Sequence, residues 1–263
     1  LSDMGGIYSL GVSPGTVEHH NVIHDVYSYS YGGWGLYTDE GSTDILLENN
    51  VVYNTKSGGF HQHYGQTNVI RNNVFAFAWE DNVKSSRSDL PNSLTFERNI
   101  VLTDNGLPVG GRLDKENFTL RGNLYWDVAG NELEFAGHEF DEWQKLGKDE
   151  GSVVADPKCK DPRSYDFALA PDSPAVKLGF QPIDVSTAGL YGQPEWVNLP
   201  KQVVHSPSEV TRPPVGVVQP IVDDFEATPA GDPPKGATVS GEGSGASIRV
   251  TDETAAGGTR SLK

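Results

Sequence analysis

The chain has 263 residues, 36 of them acidic and 20 basic, for a net charge of −16. That balance excludes nucleic acid or an anionic membrane surface as a natural partner, and no apolar stretch is long enough to span a bilayer. A single cysteine, Cys159, excludes an internal disulfide; in the setting ADPKCKDP it reads as a small buried hydrophobe rather than a reactive thiol.

A phrase recurs along the first half of the chain: GIYSLG at 6–11, GLYTDEG at 35–41 and GFHQHYG at 59–65. After each phrase comes a short apolar run and an asparagine. Asn21, Asn50, Asn73, Asn99 and Asn123 follow one another at spacings of 29, 23, 26 and 24 residues. A period in this range marks stacked structural units. Each unit holds short β-prone stretches such as Ile45–Leu47, Val51–Tyr53 and Val74–Phe77, separated by Gly, Asn, Asp and Ser. Helical periodicity and a leucine ladder are both missing from residues 1–130. Stacked coils of short strands predict an all-β fold, a parallel β-helix. Each anchor asparagine is expected at a tight corner, with a left-handed backbone and an amide bonded to the same amide one coil away.

The opening LSDMGGIY reads as the inside of a coil and the closing TRSLK as the inside of a strand, so the chain reads as a piece of a longer protein in which no leader is visible. Further along, 138–147 (HEFDEWQKLG) predicts a helix burying Phe140, Trp143 and Leu146 on one face. Residues 152–180, rich in Pro and Asp, are placed to cap the last coil, and 181–200 continue as irregular surface, closing a domain over 1–200. Residues 201–222 read as a proline-rich linker. Residues 223–263, with the alternating ASIRV and glycine-rich turns, read as the start of a β-sandwich too short to be complete.

Stacking the phrases without gaps aligns Ile7, Leu36 and Phe60 as an inward column and Tyr8, Tyr37 and His61 as an outward one. Leu10, Asp39 and His63 fall two residues on. Carrying a 26-residue step forward sets Arg87 over His61 and Asp89 over His63. Aromatic faces stack on sugar rings, and Arg, His and Asp bond hydroxyl groups, so this face is a candidate carbohydrate site. Glycoside hydrolysis needs two carboxyl groups; Asp39 is the first candidate, with Asp3, Glu40 or Asp89 as the second and His63 orienting Asp39. Trp34, Tyr37, His61, Tyr64 and Arg87 are the candidate substrate contacts. Each also has a structural reading: Asp25, Asp44 and Asp104 as turn formers, Trp34 and Tyr64 as corner packing. The HxH pair allows a metal on one strand face, but no third ligand beyond Asp39 is evident. The run Asp39–Asp44 makes calcium possible as a cofactor, without the spacing of a known calcium loop.

DMGGIYSLG, GGWGLYTDEGS and GGFHQHYG, followed by FDEWQKLGKDEGSVVADP and DSPAVKLGF, resemble bacterial right-handed parallel β-helix proteins of polysaccharide degradation, and glycoside hydrolase family 141 most of all. The resemblance covers residues 1–200. It implies a secreted hydrolase, extracellular or periplasmic, acting on plant or algal polysaccharide with fucosidase- or xylanase-like activity. It also implies a pair of catalytic aspartates, matching Asp39 of YTDEGS and Asp3 of SDMGG. Earlier coils of such proteins, with any site residues on them, are absent from this chain. The tail at 223–263 resembles a laminin-G-like or carbohydrate-binding module. Two other functions stay open. One is a non-catalytic polysaccharide-binding or surface module. The other is a polysaccharide lyase using Arg87 or His63, which the net acidity disfavours because an anionic substrate wants a positive groove.

Overall fold

The computed structural model describes residues 1–204, 210–212, 229–230, 250–251 and 261–262. It divides into two compact units, Leu1–Val215 and Gly216–Lys263. In the second unit the described residues form one antiparallel pair, Val250–Thr251 with Ser261–Leu262; the rest of the expected β-sandwich lies outside the described residues, as does most of the expected linker.

The first unit is a β-solenoid whose main sheets are all parallel. Gly5–Ser9, Trp34–Thr38, Gly58–Gln62, Val83–Ser85 and Val109–Gly111 stack as the first sheet. Val17–His19, Leu46–Glu48, Asn68–Arg71, Leu94–Glu97 and Phe118–Arg121 form the second. Val22–Val26, Val51–Thr55, Val74–Ala76, Ile100–Thr103, Leu124–Asp127 and Val153–Val154 form the third, whose six strands mark six turns. The parallel β-helix read from the repeat is the fold observed.

Inward columns fill the narrow core. Leu36, Phe60, Val83 and Val109 come from the first sheet. Leu47, Ile70, Phe96 and Leu120 come from the second, and Val52, Phe75, Val101 and Tyr125 from the third. All twelve are buried in one cluster. The glycine that opens the second phrase has a steric cause, because a Cβ on Gly35 would collide with Val52.

The asparagine ladder forms as expected. Asn21 donates to Asn50 at 2.9 Å, Asn50 to Asn73 at 2.9 Å, Asn73 to Asn99 at 3.0 Å and Asn99 to Asn123 at 3.3 Å. The left-handed backbone sits one residue earlier than expected, at His20, Asn49, Asn72, Arg98 and Gly122. The corner is turned before the anchor, which leaves the anchor's amide free to point into the stack.

One core position breaks the pattern. Glu18 pairs in register with Leu47, at the head of the Leu47–Ile70–Phe96–Leu120 column. Ser9 donates to one of its carboxyl oxygens, and the other, Oε2, is buried without a partner. Burial lifts this carboxyl above its ordinary range despite the serine. Glu18→Leu is therefore expected to stabilise the fold by about 1–3 kcal/mol, read as a melting temperature several degrees higher.

The end of the solenoid is closed by residues earlier than those expected to do so. Phe135 bridges Val109, and Phe135, Phe140 and Trp143 pack on the core cluster of Leu113, Phe118, Leu120 and Tyr125. The helix is shorter than read, Phe140–Lys145, so Leu146 becomes its exposed C-cap and leaves the buried face. Residues beyond 155 instead cover the flank of the third sheet. The hairpin Cys159–Asp161/Asp166–Leu169 and the short helix Pro174–Lys177 lie there. Phe167, Leu169, Ala175, Leu178 and Phe180 pack against Val74, Ala76, Ile100, Leu102 and Leu124. Those outward side chains are apolar, so this sheet face has to be covered. Cys159 is half-buried in this cover, and burial pushes its thiol up to about 12, as suits a packing residue. Arg212, inside the expected linker, donates Nη1 to Asp104 Oδ2 at 2.8 Å and so ties that segment to the solenoid.

Candidate functional site

Parallel register turns residues distant in sequence into neighbours on the outer face of the first sheet. Tyr8, Tyr37, His61, Lys84 and Gly110 form one row along the solenoid. The residues after Ser9, Thr38, Gln62, Ser85 and Gly111 lie two positions on, which aligns Asp39, His63, Ser86 and Arg112 as a second row.

Asp39 is the centre of this face. Its backbone N–H donates to Ser9 O at 2.8 Å, fixing it just past the strand. Tyr8 donates its hydroxyl to Oδ2, and His63 Nδ1 lies 2.9 Å from Oδ1. An ionised carboxylate only accepts, so His63 Nδ1 carries the proton. Burial alone would raise the Asp39 carboxyl, but hydrogen bonds from Tyr8, Tyr37 and His63 prevail and hold it below the ordinary carboxylate range. The reciprocal effect raises both phenols above their ordinary value. For Tyr8 the hydrogen bond to Asp39 leads, and for Tyr37 burial does.

Tyr37 joins a second carboxyl to the first. Its hydroxyl donates to Asp3 Oδ1 at 3.3 Å while also facing Asp39. Two hydrogen-bond lengths through one oxygen put the two carboxyl groups on the order of 7 Å apart. Asp3 is exposed, in a left-handed conformation, and its backbone N–H donates to Tyr31 O at 3.0 Å. Gly32 permits this approach, since a Cβ there would lie 2.9 Å from Asp3 N. The Tyr31 hydroxyl also bonds Asp3. Tyr31 was not singled out from the sequence; its signal is its place before the two glycines of YGGWG.

Three expected sugar contacts form an inner layer instead. Trp34, Tyr37 and His61 lie on the outer side of the sheet but are only 6%, 4% and 3% exposed. Trp34 stacks on His61 at 4.3 Å and 14° and leans on Tyr37 at 4.4 Å. These rings set the position of the Tyr37 hydroxyl rather than meeting solvent. The exposed aromatic surface is Tyr8 and Tyr31, at 44% and 60%.

The 26-residue step fails for the first sheet. Lys84, not Arg87, pairs with His61, because the step there is 23 residues; the three extra residues are taken up in the corner between the first and second sheets. Arg87 sits on that corner, where its backbone N–H still donates to His63 O at 3.0 Å. Its guanidinium lies 4.6 Å from the Tyr64 ring centre and pairs with Asp89. Asp89 is thus neutralised away from Asp39 and does not act as its partner carboxyl. Glu40 is exposed and gives Asp39 only its backbone N–H.

His61 Nε2 meets Ser86 Oγ at 3.1 Å, while its Nδ1 is buried without a partner. Burial lowers this imidazole to about 3, with Lys84 and His63 adding repulsion. His61 is therefore neutral in the folded protein at neutral pH, while the unfolded chain takes up a proton below about 6.5. Stability is fully present above that value and is lost as pH falls toward 3, by about 3 kcal/mol at pH 4. Urea unfolding at pH 7, 5 and 4 is expected to show this loss, and His61→Phe to reduce its slope.

Among the described residues, no three His, Cys, Asp or Glu side chains are grouped to hold a metal ion. No helix among them is long and apolar enough to cross a membrane. No protein-family model matches the chain, and no solved structure matches it. YwoF of Bacillus subtilis (strain 168), itself uncharacterized, is 28% identical over 193 residues, covering 55% of this chain and 41% of the relative. The chain therefore spans less than half the length of that relative.

Proposed function

We propose that this chain forms part of a secreted carbohydrate-active enzyme that hydrolyses glycosidic bonds in plant or algal polysaccharide, in the manner of glycoside hydrolase family 141. The observation that carries the reading is the pair of carboxyl groups, Asp39 and Asp3, on either side of the Tyr37 hydroxyl. Their separation, on the order of 7 Å, falls in the range that glycosidase carboxyl pairs occupy. Asp39, held ionised by its donors, is suited to act as base or nucleophile. The exposed Asp3 is the group able to deliver a proton to the leaving oxygen. Tyr8 and Tyr31 offer ring faces to the sugar, and His63 orients Asp39.

A second reading, a polysaccharide-binding wall without turnover, draws on the depth and full hydrogen bonding of Asp39. The lyase reading has weaker support, since Arg87 is engaged by Asp89 and Tyr64. Incubating the protein with a panel of plant and algal polysaccharides separates the three. Hydrolysis yields new reducing ends without ultraviolet-absorbing products. A lyase yields unsaturated, absorbing ends, and a binding wall gives retention on polysaccharide gels with neither.

A further inference from the structure

The outer face of the first sheet carries a second polar hollow beyond His61. The row Tyr8–Tyr37–His61–Lys84 ends at Gly110, where the side chain drops out. The carboxyl of Asp81 occupies that space, and a Cβ on Gly110 would collide with it. The resulting cavity, about 470 Å³, is bounded by Asp81, Lys84, Ser86, Arg112, Asp114 and Lys115 among others. This volume is within the range of small-molecule sites.

Most of the ionic groups around it are already engaged. Lys84 pairs with Glu80 at 3.1 Å, and Lys115 pairs with Asp114. Asp81 and Arg112 differ: among the described residues no side-chain hydrogen bond or ion pair engages the carboxyl of Asp81 or the guanidinium of Arg112. Burial, opposed in part by Lys84, holds the Asp81 carboxyl above its ordinary range, as befits a partly sheltered group without a donor. An acceptor and a planar donor facing one hollow suit adjacent hydroxyl groups, which donate to the first and accept from the second. The charges at the rim cancel, so the hollow has no net attraction for an anion.

We propose that this hollow is a subsite for a neutral sugar unit, held through its hydroxyl groups by Asp81 and Arg112. It rests on the reading of the chain as a polysaccharide-acting protein and extends it along the solenoid. Arg112 stands in the row of Asp39, His63 and Ser86, three strand spacings or about 14 Å from Asp39. Ser86 bonds His61, so the wall between the two places is continuous. A glycan would thus lie parallel to the solenoid axis, with one unit at Asp39 and another several units along at Asp81 and Arg112.

Calorimetry tests this with neutral disaccharides and hexasaccharides from xylan, xyloglucan, galactan and laminarin, and with hexagalacturonate as the charged probe. Binding is measured on the Asp39→Asn protein so that cleavage does not enter. At least one neutral hexasaccharide is expected to bind, about tenfold or more tighter than its disaccharide. Asp81→Asn and Arg112→Ala, each checked for an unchanged melting temperature, are expected to abolish that length advantage and leave the disaccharide unaffected. Unchanged hexasaccharide affinity in both variants, no binding by any neutral hexasaccharide, or a preference for hexagalacturonate would overturn the subsite. Loss of the length advantage in a protein whose wild type cleaves nothing keeps the subsite and removes the hydrolase reading. Cleavage that needs Asp39 but ignores Asp81 and Arg112 does the reverse.

Discussion

Asp39→Asn is expected to lower turnover of a cleaved polysaccharide by about 10²–10⁴-fold or more, the effect of removing a positioned acid–base or nucleophilic group. The amide keeps the shape and one acceptor oxygen, so Tyr8 retains a partner on that side. It loses the charge that makes His63 Nδ1–H and the Tyr37 hydroxyl converge on the group. Asp39 is depressed in the folded state, so its stabilising contribution is present above the unfolded carboxylate range and fades as pH falls through the folded value. The variant is therefore expected to cost some stability at pH 7 and little at pH 3. Turnover within tenfold of wild type, in a variant with an intact cooperative melt, would remove Asp39 from the chemistry. Asp3→Asn is expected to lower turnover as well, most for substrates with poor leaving groups, because a better leaving group needs less proton assistance. Equal losses for good and poor leaving groups would assign Asp3 to positioning.

The largest expected effect on stability lies at the other end of the solenoid. The asparagine ladder does not end in solvent. Asn123 passes its amide hydrogen to Asp149 Oδ1 at 3.0 Å. Tyr125 donates to the same carboxyl at 3.0 Å, Ser152 at 2.6 Å and Trp143 Nε1 at 2.6 Å. One fully buried carboxyl thus ties the ladder to the aromatic plug that closes the core. Asp149→Leu would strand four buried donors at about 1–3 kcal/mol each, a loss of about 4 kcal/mol or more. Against the 5–15 kcal/mol typical of a native protein, that is expected to open the plug, read as rapid amide exchange around Trp143. Asp149→Asn keeps one acceptor oxygen and is expected to lose about half as much. A Leu variant with unchanged exchange at Trp143 would show that apolar packing alone holds the end shut.

The architecture was legible because a solenoid writes its geometry as a period. The first three phrases share a spacing that no insertion interrupts, so Ile7, Leu36 and Phe60 fall in one column and Tyr8, Tyr37 and His61 in another without any knowledge of the fold. The fourth turn lacks the phrase. Its length was borrowed from the asparagines, which report the second and third sheets, where the step is 26 residues. The first sheet steps by 23 there, and Lys84 and Asp81 went unseen in favour of Arg87 and Asp89. Depth was illegible for a different reason. Period and alternation say which side of a sheet a ring occupies, but not what lies over it. Trp34 and His61 face outward and are nonetheless covered, because each ring lies flat on the other. The cap was misplaced because an apolar outer face on the third sheet competes for the same downstream residues. Val74, Ala76, Ile100, Leu102 and Leu124 take Phe167, Leu169 and Phe180, leaving Phe135, Phe140 and Trp143 to close the end.

The most direct measurement is a crystal structure of the Asp39→Asn protein with an oligosaccharide taken from a polysaccharide that the wild type cleaves or retains. The account predicts a sugar ring against Tyr8 and Tyr31, with a glycosidic oxygen between residue 39 and Asp3. An oligosaccharide seated instead in the apolar groove formed by Val51, Tyr53, Tyr165 and Phe167 on the third sheet, with the face at Asp39 empty, would contradict it.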